Sequence, residues 1–408
     1  MPLPAKPSDI SDVVLPPAAA SPGASHMPSA ATLTTTLDAL LTLTLENNGS
    51  DLHLATGIPP RIRVNGHITT IPHAQELGPD DVRALMFPVM TDRQRATFEA
   101  EQELDFAYSL PGRSRFRVNL SVDRGNTRAV LRAIPWQIQD LDELGIPERV
   151  GNFADLPRGL VLVTGPTGSG KSTTLAAIID RANRTRNDHI VTIEDPIEYI
   201  HPHQNCIVTQ REVGGDTASF ATALRHVLRQ DPDIILVGEL RDKETIEIAL
   251  TAAETGHLVL GTLHTQSAKD TITRVIDVFP ENGRDQIRTQ LAASIQGIVT
   301  QTLCRTSDGN RRVPAVEIMT ATPSVRNMIR EGKLEQLPSV IQSSSKDGMI
   351  TLDQTLASLV RRNTITLTEA IRISADKNDL ANALGYPTPE AMHTAATTTN
   401  TTSKPADW

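Results

Sequence analysis

"GLVLVTGPTGSGKSTTLAAIID", residues 159–180, decides the fold. It opens as a short apolar strand, turns through glycines, and continues into the helical run "KSTTLAAIIDRANR". Its middle, "GPTGSGKST", fits the phosphate-binding pattern G-x-x-x-x-G-K-[ST] over Gly165, Pro166, Thr167, Gly168, Ser169, Gly170, Lys171, Ser172 and Thr173. Glycines let backbone N–H groups turn inward around phosphates. Lys171 is placed to reach the β and γ oxygens, and the Ser172 hydroxyl to bind Mg²⁺. The helix that follows points its N-terminus at the anion. The pattern sits between a strand and a helix, as this chemistry requires, so the expected ligand is a nucleoside triphosphate with Mg²⁺.

Working outward, three more apolar strands alternate with helices: "HIVTIED", "DIILVGEL" and "HLVLGTLHT". "SFATALRHVLRQ" carries a helical stripe at Phe220, Leu224, Val227 and Leu228 that stops before Pro232. "DKETIEIALTAAETG" reads as a helix with Asp242 as N-cap and Gly256 just past its end. Apolar strands alternating with helices imply an α/β domain whose parallel sheet is covered on both faces. After about residue 282 the pattern is helical: "QIRTQLAASIQGIVTQTL", "TPSVRNMIREGKLEQLPSVIQ" and "TLDQTLASLVRR".

Upstream the style differs. Leu37, Leu40, Leu41 and Leu45 share one face of a helix, and short alternating segments with turn signals follow as far as Pro135. These predict a smaller α+β domain over residues 33–135, then a linker over 136–150 and the α/β domain with its C-terminal helices over 151–376. The Pro- and Ala-rich residues 1–32 and the Thr-rich residues 377–408 are expected to be disordered.

Composition excludes several classes. Cys206 and Cys304 are the two cysteines, so there is no disulfide framework and no CxxC pair for a four-cysteine zinc site; each is expected to be a small buried hydrophobe. The net charge of −9 and the 3% aromatic content argue against direct nucleic-acid binding, which uses basic grooves and stacking rings. There is no run of apolar residues long enough for a membrane span and no signal-peptide pattern, which leads to the expectation of a cytoplasmic protein.

Acids and histidines gather around the phosphate loop. "DIILVGELRD" is an apolar strand ending in an acid, a Walker B pattern that sets Glu239 near Mg²⁺. "TIEDPIEY" brings Glu194, Asp195 and Glu198 within five residues. Three carboxylates beside a triphosphate would repel it unless Mg²⁺ or a water-activating role compensates. Glu198 is taken as the acid that polarises the attacking water. "ETGHLVLGTLHT", residues 254–265, has a histidine at each side of its strand. In an open parallel sheet ligands lie at the carboxyl ends of strands. His264 is therefore expected to sense the γ-phosphate. His257 starts the strand and is expected at the opposite edge unless the preceding turn folds back; function and packing stay open for it.

"GPTGSGKST", "TIEDPIEY", "LRQDPDIILVGELRDKETIEIALTAAETGHLVLGTLHT" and "VRNMIREGKLEQL" together resemble the secretion-superfamily ATPases, above all their type IV pilus retraction branch. The similarity runs from "GSDLHLATGIPPRIRVNG" to "GMITLDQTL" and holds four boxes in order. It implies a homohexamer whose subunits pair a PAS-like N-terminal domain with a RecA-like P-loop domain, ATP lying between them and a neighbouring subunit helping to close the site. It also implies that Arg117 of "FRVN" and Arg132 of "VLRAIP" reach the phosphates, and that His257 and His264 form the family's His box.

Direction of action also comes from the resemblance. Extension ATPases of the superfamily and their type II secretion relatives typically carry a tetracysteine zinc motif, and this chain has none. The retraction branch carries A-I-R-N-L-I-R-E; here "VRNMIRE", Val325 to Glu331, keeps Arg326, Asn327, Arg330 and Glu331. The expected partners are the pilus machinery and an inner-membrane platform protein, with the ring held peripherally at the pilus base. The alternatives are an accessory retraction paralogue, a conjugative or type IVB secretion ATPase, and a RecA-like nucleic-acid translocase.

Overall fold

The computed structural model describes residues 36–401 apart from Asn65 and Trp136. The disorder expected for residues 1–32 falls outside the described residues, as does the end of the Thr-rich tail, 402–408.

The first sheet is antiparallel: β1 (Gly49–Leu54), β2 (Arg61–Val64), β3 (His67–Thr70), β4 (Glu103–Leu110), β5 (Ser114–Asp123) and β6 (Asn126–Ile134), in the order β3-β2-β1-β6-β5-β4. Alternation along β5 shows what shapes it. Phe116, Val118 and Leu120 are buried, while Arg115, Arg117 and Asn119 fall on the opposite face. Helices Leu37–Glu46, Asp81–Met86 and Asp92–Glu101 close over the apolar face, with Leu40, Leu41, Met86 and Phe98 in its core. The other face keeps its arginines. Arg63, Asp51, Arg132 and Arg117 lie in one row across β2, β1, β6 and β5.

The second sheet holds β7 (Gly159–Thr164), β8 (His189–Glu194), β9 (Ile207–Glu212), β10 (Ile234–Val237), β11 (Leu258–Leu263), β12 (Ile295–Arg305) and β13 (Arg312–Thr320). Their order is β13-β12-β7-β11-β10-β8-β9, parallel throughout except for β13 against β12. Leu160 and Leu162 of β7 enter one core and Val161 and Val163 the other, so the sheet is apolar on both faces and helices cover both. The connecting segment is not loose: Leu141, Ile146 and Val150 join the second of these cores. Both cysteines are buried. The protein is thus mixed α/β, an N-terminal antiparallel-sheet domain followed by a parallel-sheet domain.

Two expectations need correction. "QIRTQLAASIQGIVTQTL" is not one helix: Arg284–Ser294 is helical and Ile295 starts β12. Ile295, Ile298 and Val299 mimic helical spacing, but this β-branched run is captured between β7 and β13, and tertiary pairing overrides local periodicity. Gly297 admits the fit, since a Cβ there would lie 2.3 Å from the Phe153 ring. Nor is the chain from residue 377 structureless. Lys377–Leu384 and Pro389–Thr401 are helices, and Leu380, Ala381, Met392 and Ala396 join a core with Leu356, Leu359 and Ile371. Polar and Thr-rich composition hid a sparse apolar stripe, and the first of the two helices is delimited by Asp376 as N-cap and Gly385 in the left-handed conformation.

Candidate nucleotide site

β7 ends at buried Thr164, and the chain then turns through Gly165, Gly168 and Gly170 at φ of +141°, +76° and +91°. Only glycine takes these values without strain. The helix Lys171–Thr185 starts directly after them. Lys171 Nζ donates to Gly165 O at 2.9 Å and Pro166 O at 3.1 Å, which holds the ammonium inside the loop. Desolvation lowers its pKa and the Glu239 carboxylate pulls the other way.

A cavity of about 630 Å³ opens over this loop. Thr167, Gly168, Gly170, Lys171, Ser172 and Thr173 line one side, and Glu194, Asp195, Glu198, Glu239 and His264 the other. Each acid arrives from the carboxyl end of a strand, as the doubly covered sheet requires. Glu239 follows β10 by one glycine. Its Oε1 lies 3.4 Å from His264 Nε2 and its Oε2 2.7 Å from Arg241 Nε. Thr262 of β11 braces both strand ends, donating to Gly238 O while its carbonyl accepts from Leu240 N.

The acids of the turn after β8 do different things. Glu194 is buried and accepts from the Thr192 hydroxyl at 2.6 Å, Gln210 Nε2 at 3.1 Å and Glu198 N at 3.3 Å. Burial still raises its pKa against those bonds. Asp195, before a cis peptide bond to Pro196, faces Arg241 at 3.9 Å. Glu198 is half-exposed and lies 3.3 Å from Arg117 Nη2, reaching across from the N-terminal sheet.

Three side chains in the cleft escaped sequence reasoning. Arg241 bridges Glu239 and Asp195; its signal was a cation two residues after the Walker B acid. The Tyr199 hydroxyl is 2.9 Å from that of Thr173, joining the acidic turn to the phosphate-loop helix. His201 lines the cavity and is buried, which pushes its pKa down to about 4.

The structure does not bring every predicted residue here. Arg132 shares a face with Arg117 but its Nε is 2.7 Å from Asp51 Oδ1, away from the cavity lining. His257 sits at the amino end of β11, its Nδ1 3.0 Å from Ala252 O, at the opposite edge of the sheet from the phosphate loop.

A family model described as "Type II/IV secretion system protein" matches residues 27–378. The chain belongs to this family. Among relatives, the type IV pilus retraction ATPase PilT of Pseudomonas aeruginosa is 51% identical over 327 residues, covering 80% of this chain and 94% of that one. The twitching motility protein of Neisseria gonorrhoeae is 48% identical over 320 residues, 78% of this chain and 85% of that one. A crystal structure of the pilus retraction motor PilT with bound ADP superposes with a TM-score of 0.79 at 45% identity, over 85% of this chain and 99% of that one.

The remaining predicted residues of this family member lie on helix Pro323–Glu331, outside the cavity. The Arg326 guanidinium is half-buried and donates to Ala321 O, Ala292 O, Ala293 O and Gln296 Oε1, so it ties three segments together. Asn327, Arg330 and Glu331 are exposed and bond mainly to one another.

Proposed function

We propose that this chain is an ATP-hydrolysing motor that powers retraction of a type IV pilus. The observation that carries the reading is the cleft itself: a phosphate loop, a Walker B acid, an acidic turn and His264 share one cavity, and Arg117 of the other domain pairs with Glu198 on its wall. Lys171 and the loop N–H groups take the phosphates. Ser172 and Glu239 offer the hard oxygen donors that Mg²⁺ prefers and would hold that ion. When bound, it would supply charge neutralisation for the triphosphate. Glu198 orients the attacking water and accepts its proton as the γ-phosphoryl passes to it, leaving ADP and phosphate. His264, held towards Glu239, reads the γ-phosphate. Arg117 leaves Glu198 to meet developing charge on the phosphoryl oxygens, and Arg132 would join it by parting from Asp51.

A homohexameric ring fits the charge distribution. The face of the N-terminal sheet away from its core carries Arg61, Arg63, Arg115, Arg117, Arg128 and Arg132, a basic surface that acidic side chains of a second copy would complement. Hydrolysis would then shift the N-terminal domain against the sheet it contacts, and the ring would work on a platform protein at the cytoplasmic face of the inner membrane. Among the described residues no helix is long and apolar enough to cross a membrane.

The deciding test is a clean deletion in the native host, complemented with wild type or Lys171→Ala. Surface pili are counted and surface motility scored. Many pili without motility, restored by wild type and not by Lys171→Ala, is the expected result. A bald cell would overturn retraction in favour of pilus extension.

A further inference from the structure

We propose that Gln301 is the positioning residue that holds the phosphate loop in its anion-binding shape. The inference rests on the nucleotide-site reading and extends it to a residue outside every motif. Gln301 lies on β12, one residue past the point where Thr300 pairs with Thr164, the last residue of β7. There β7 has ended and the phosphate loop begins, so Gln301 stands beside the loop. It is buried within the sheet.

Both ends of its amide bond to the loop and to the helix that follows it. Nε2 donates to Ser169 O at 2.8 Å, and Oε1 accepts from the Thr174 hydroxyl at 2.7 Å. One side chain therefore joins the end of the loop to the first turn of the helix that follows. The main chain contributes as well. A Cβ on Gly165 would lie 2.1 Å from Gln301 O, and a Cβ on Gly170 would lie 2.7 Å from Gln301 Nε2. The first and last glycines of the motif thus serve a second purpose besides turning N–H groups inward: they let β12 press against both ends of the loop. Gln301 and both its partners, Ser169 and Thr174, are buried, and water cannot replace a missing amide there at low cost.

Losing the amide frees Ser169 O and the Thr174 hydroxyl, and the loop N–H groups no longer converge. Nucleotide affinity should fall first, because those N–H groups contact phosphate in ADP and ATP alike. Gln301→Met keeps the length and removes both hydrogen bonds. Gln301→Glu keeps the acceptor for Thr174 and loses the donor to Ser169. Thr174→Val removes one bond from the other side with the smallest change in shape.

The experiment measures Mg·ADP affinity by titration, kcat and KM for ATP, and the melting temperature without nucleotide, for these variants and for Lys171→Ala. Gln301→Met is expected to fold and to bind ADP roughly ten- to hundredfold more weakly. Thr174→Val is expected to show a smaller loss that does not add to that of Gln301→Met. A residue that only stabilises the sheet would lower the melting temperature and leave affinity alone, which would overturn the proposal. If Gln301→Met fails to fold, Thr174→Val decides: unchanged ADP affinity overturns it and weakened affinity supports it. Normal binding and turnover in Lys171→Ala would instead sink the nucleotide-site reading, so the two failures are told apart.

Discussion

Arg117 on β5 places its Nη2 3.3 Å from Oε1 of Glu198, on the turn after β8, and so connects the two domains through a charge pair at the mouth of the cleft. Arg115 repeats the connection to Glu212 at 3.5 Å, and Ile200 N donates to Pro135 O at 3.4 Å. Arg117 and Glu198 are both half-exposed, so their pairing adds little to stability and exchanges readily for a stronger partner. A triphosphate is such a partner for the guanidinium.

Arg117→Ala should therefore melt close to wild type and lose turnover, on the order of a thousandfold in kcat. Glu198→Gln should bind ATP and hydrolyse it roughly a hundredfold or more too slowly. Phosphate release and nucleotide titration check both. Wild-type kcat in Arg117→Ala would remove the N-terminal sheet from catalysis, and wild-type hydrolysis in Glu198→Gln would move the water-orienting role to another acid.

His264 is backed by a row of hydroxyls. Thr265 Oγ1 is 2.6 Å from Thr271 Oγ1, which is 3.4 Å from Thr164 Oγ1, itself 3.0 Å from Thr300 Oγ1. The row ties the loop after β11 to the end of β7, from which the phosphate loop springs. Thr271→Val keeps the shape and breaks the row. It should lower kcat severalfold in the wild-type background and have no further effect in His264→Ala, since coupled residues are not additive. Equal effects in both backgrounds would mean that the row serves only packing.

Legibility from sequence followed the physics. The parallel sheet and phosphate loop were plain because apolar strands, glycines at forced φ values and capping residues all act locally. Glu239 and His264 were legible because each follows its strand by one or two residues, so topology alone sends both to one edge. β12 was misread because Ile295, Ile298 and Val299 sit at helical spacing, and only its slot between β7 and β13 makes it a strand. Arg132 was assigned by resemblance, yet here Asp51, its cross-strand neighbour, holds it. Gln301 had no motif to announce it, and its partners Ser169 and Thr174 are far away in sequence; Arg241 stands two residues after Glu239, and only its second partner, Asp195, is distant.

The "VRNMIRE" helix divides into two jobs. Arg326 supplies hydrogen bonds to carbonyls of two segments and to Gln296 Oε1, so Arg326→Ala should destabilise the fold by about 1–2 kcal/mol by leaving part-buried acceptors without this donor. Asn327 and Arg330 are exposed, so Asn327→Ala with Arg330→Ala should leave the melting temperature and ATPase rate near wild type while abolishing motility. Thermal melting and a surface-motility assay separate the two. Motility intact in the exposed pair of substitutions would make this helix a structural element alone.

Glu317 on β13 accepts the backbone N–H of Ala268 at 2.7 Å, the first residue of the helix that follows the His264 loop. Two forces compete there. Burial pushes the carboxyl up, helped by Asp353 and Asp270, while the Ala268 N–H and the helix N-terminus favour the anion. Burial wins, raising the pKa from 4.5 to about 6. The folded protein then holds this proton more tightly than the unfolded chain. Its contribution to stability is full below the unfolded value and is lost as pH rises through about 6, a shift worth about 2 kcal/mol. Glu317→Gln keeps the acceptor for Ala268 and cannot ionise. It should match wild type near pH 4.5 and melt higher than wild type at about pH 7. Melting curves of the two proteins across that range check the sign. A constant gap would mean that the carboxyl titrates normally, and a glutamine variant that loses ground as pH rises would mean that the helix N-terminus outweighs burial.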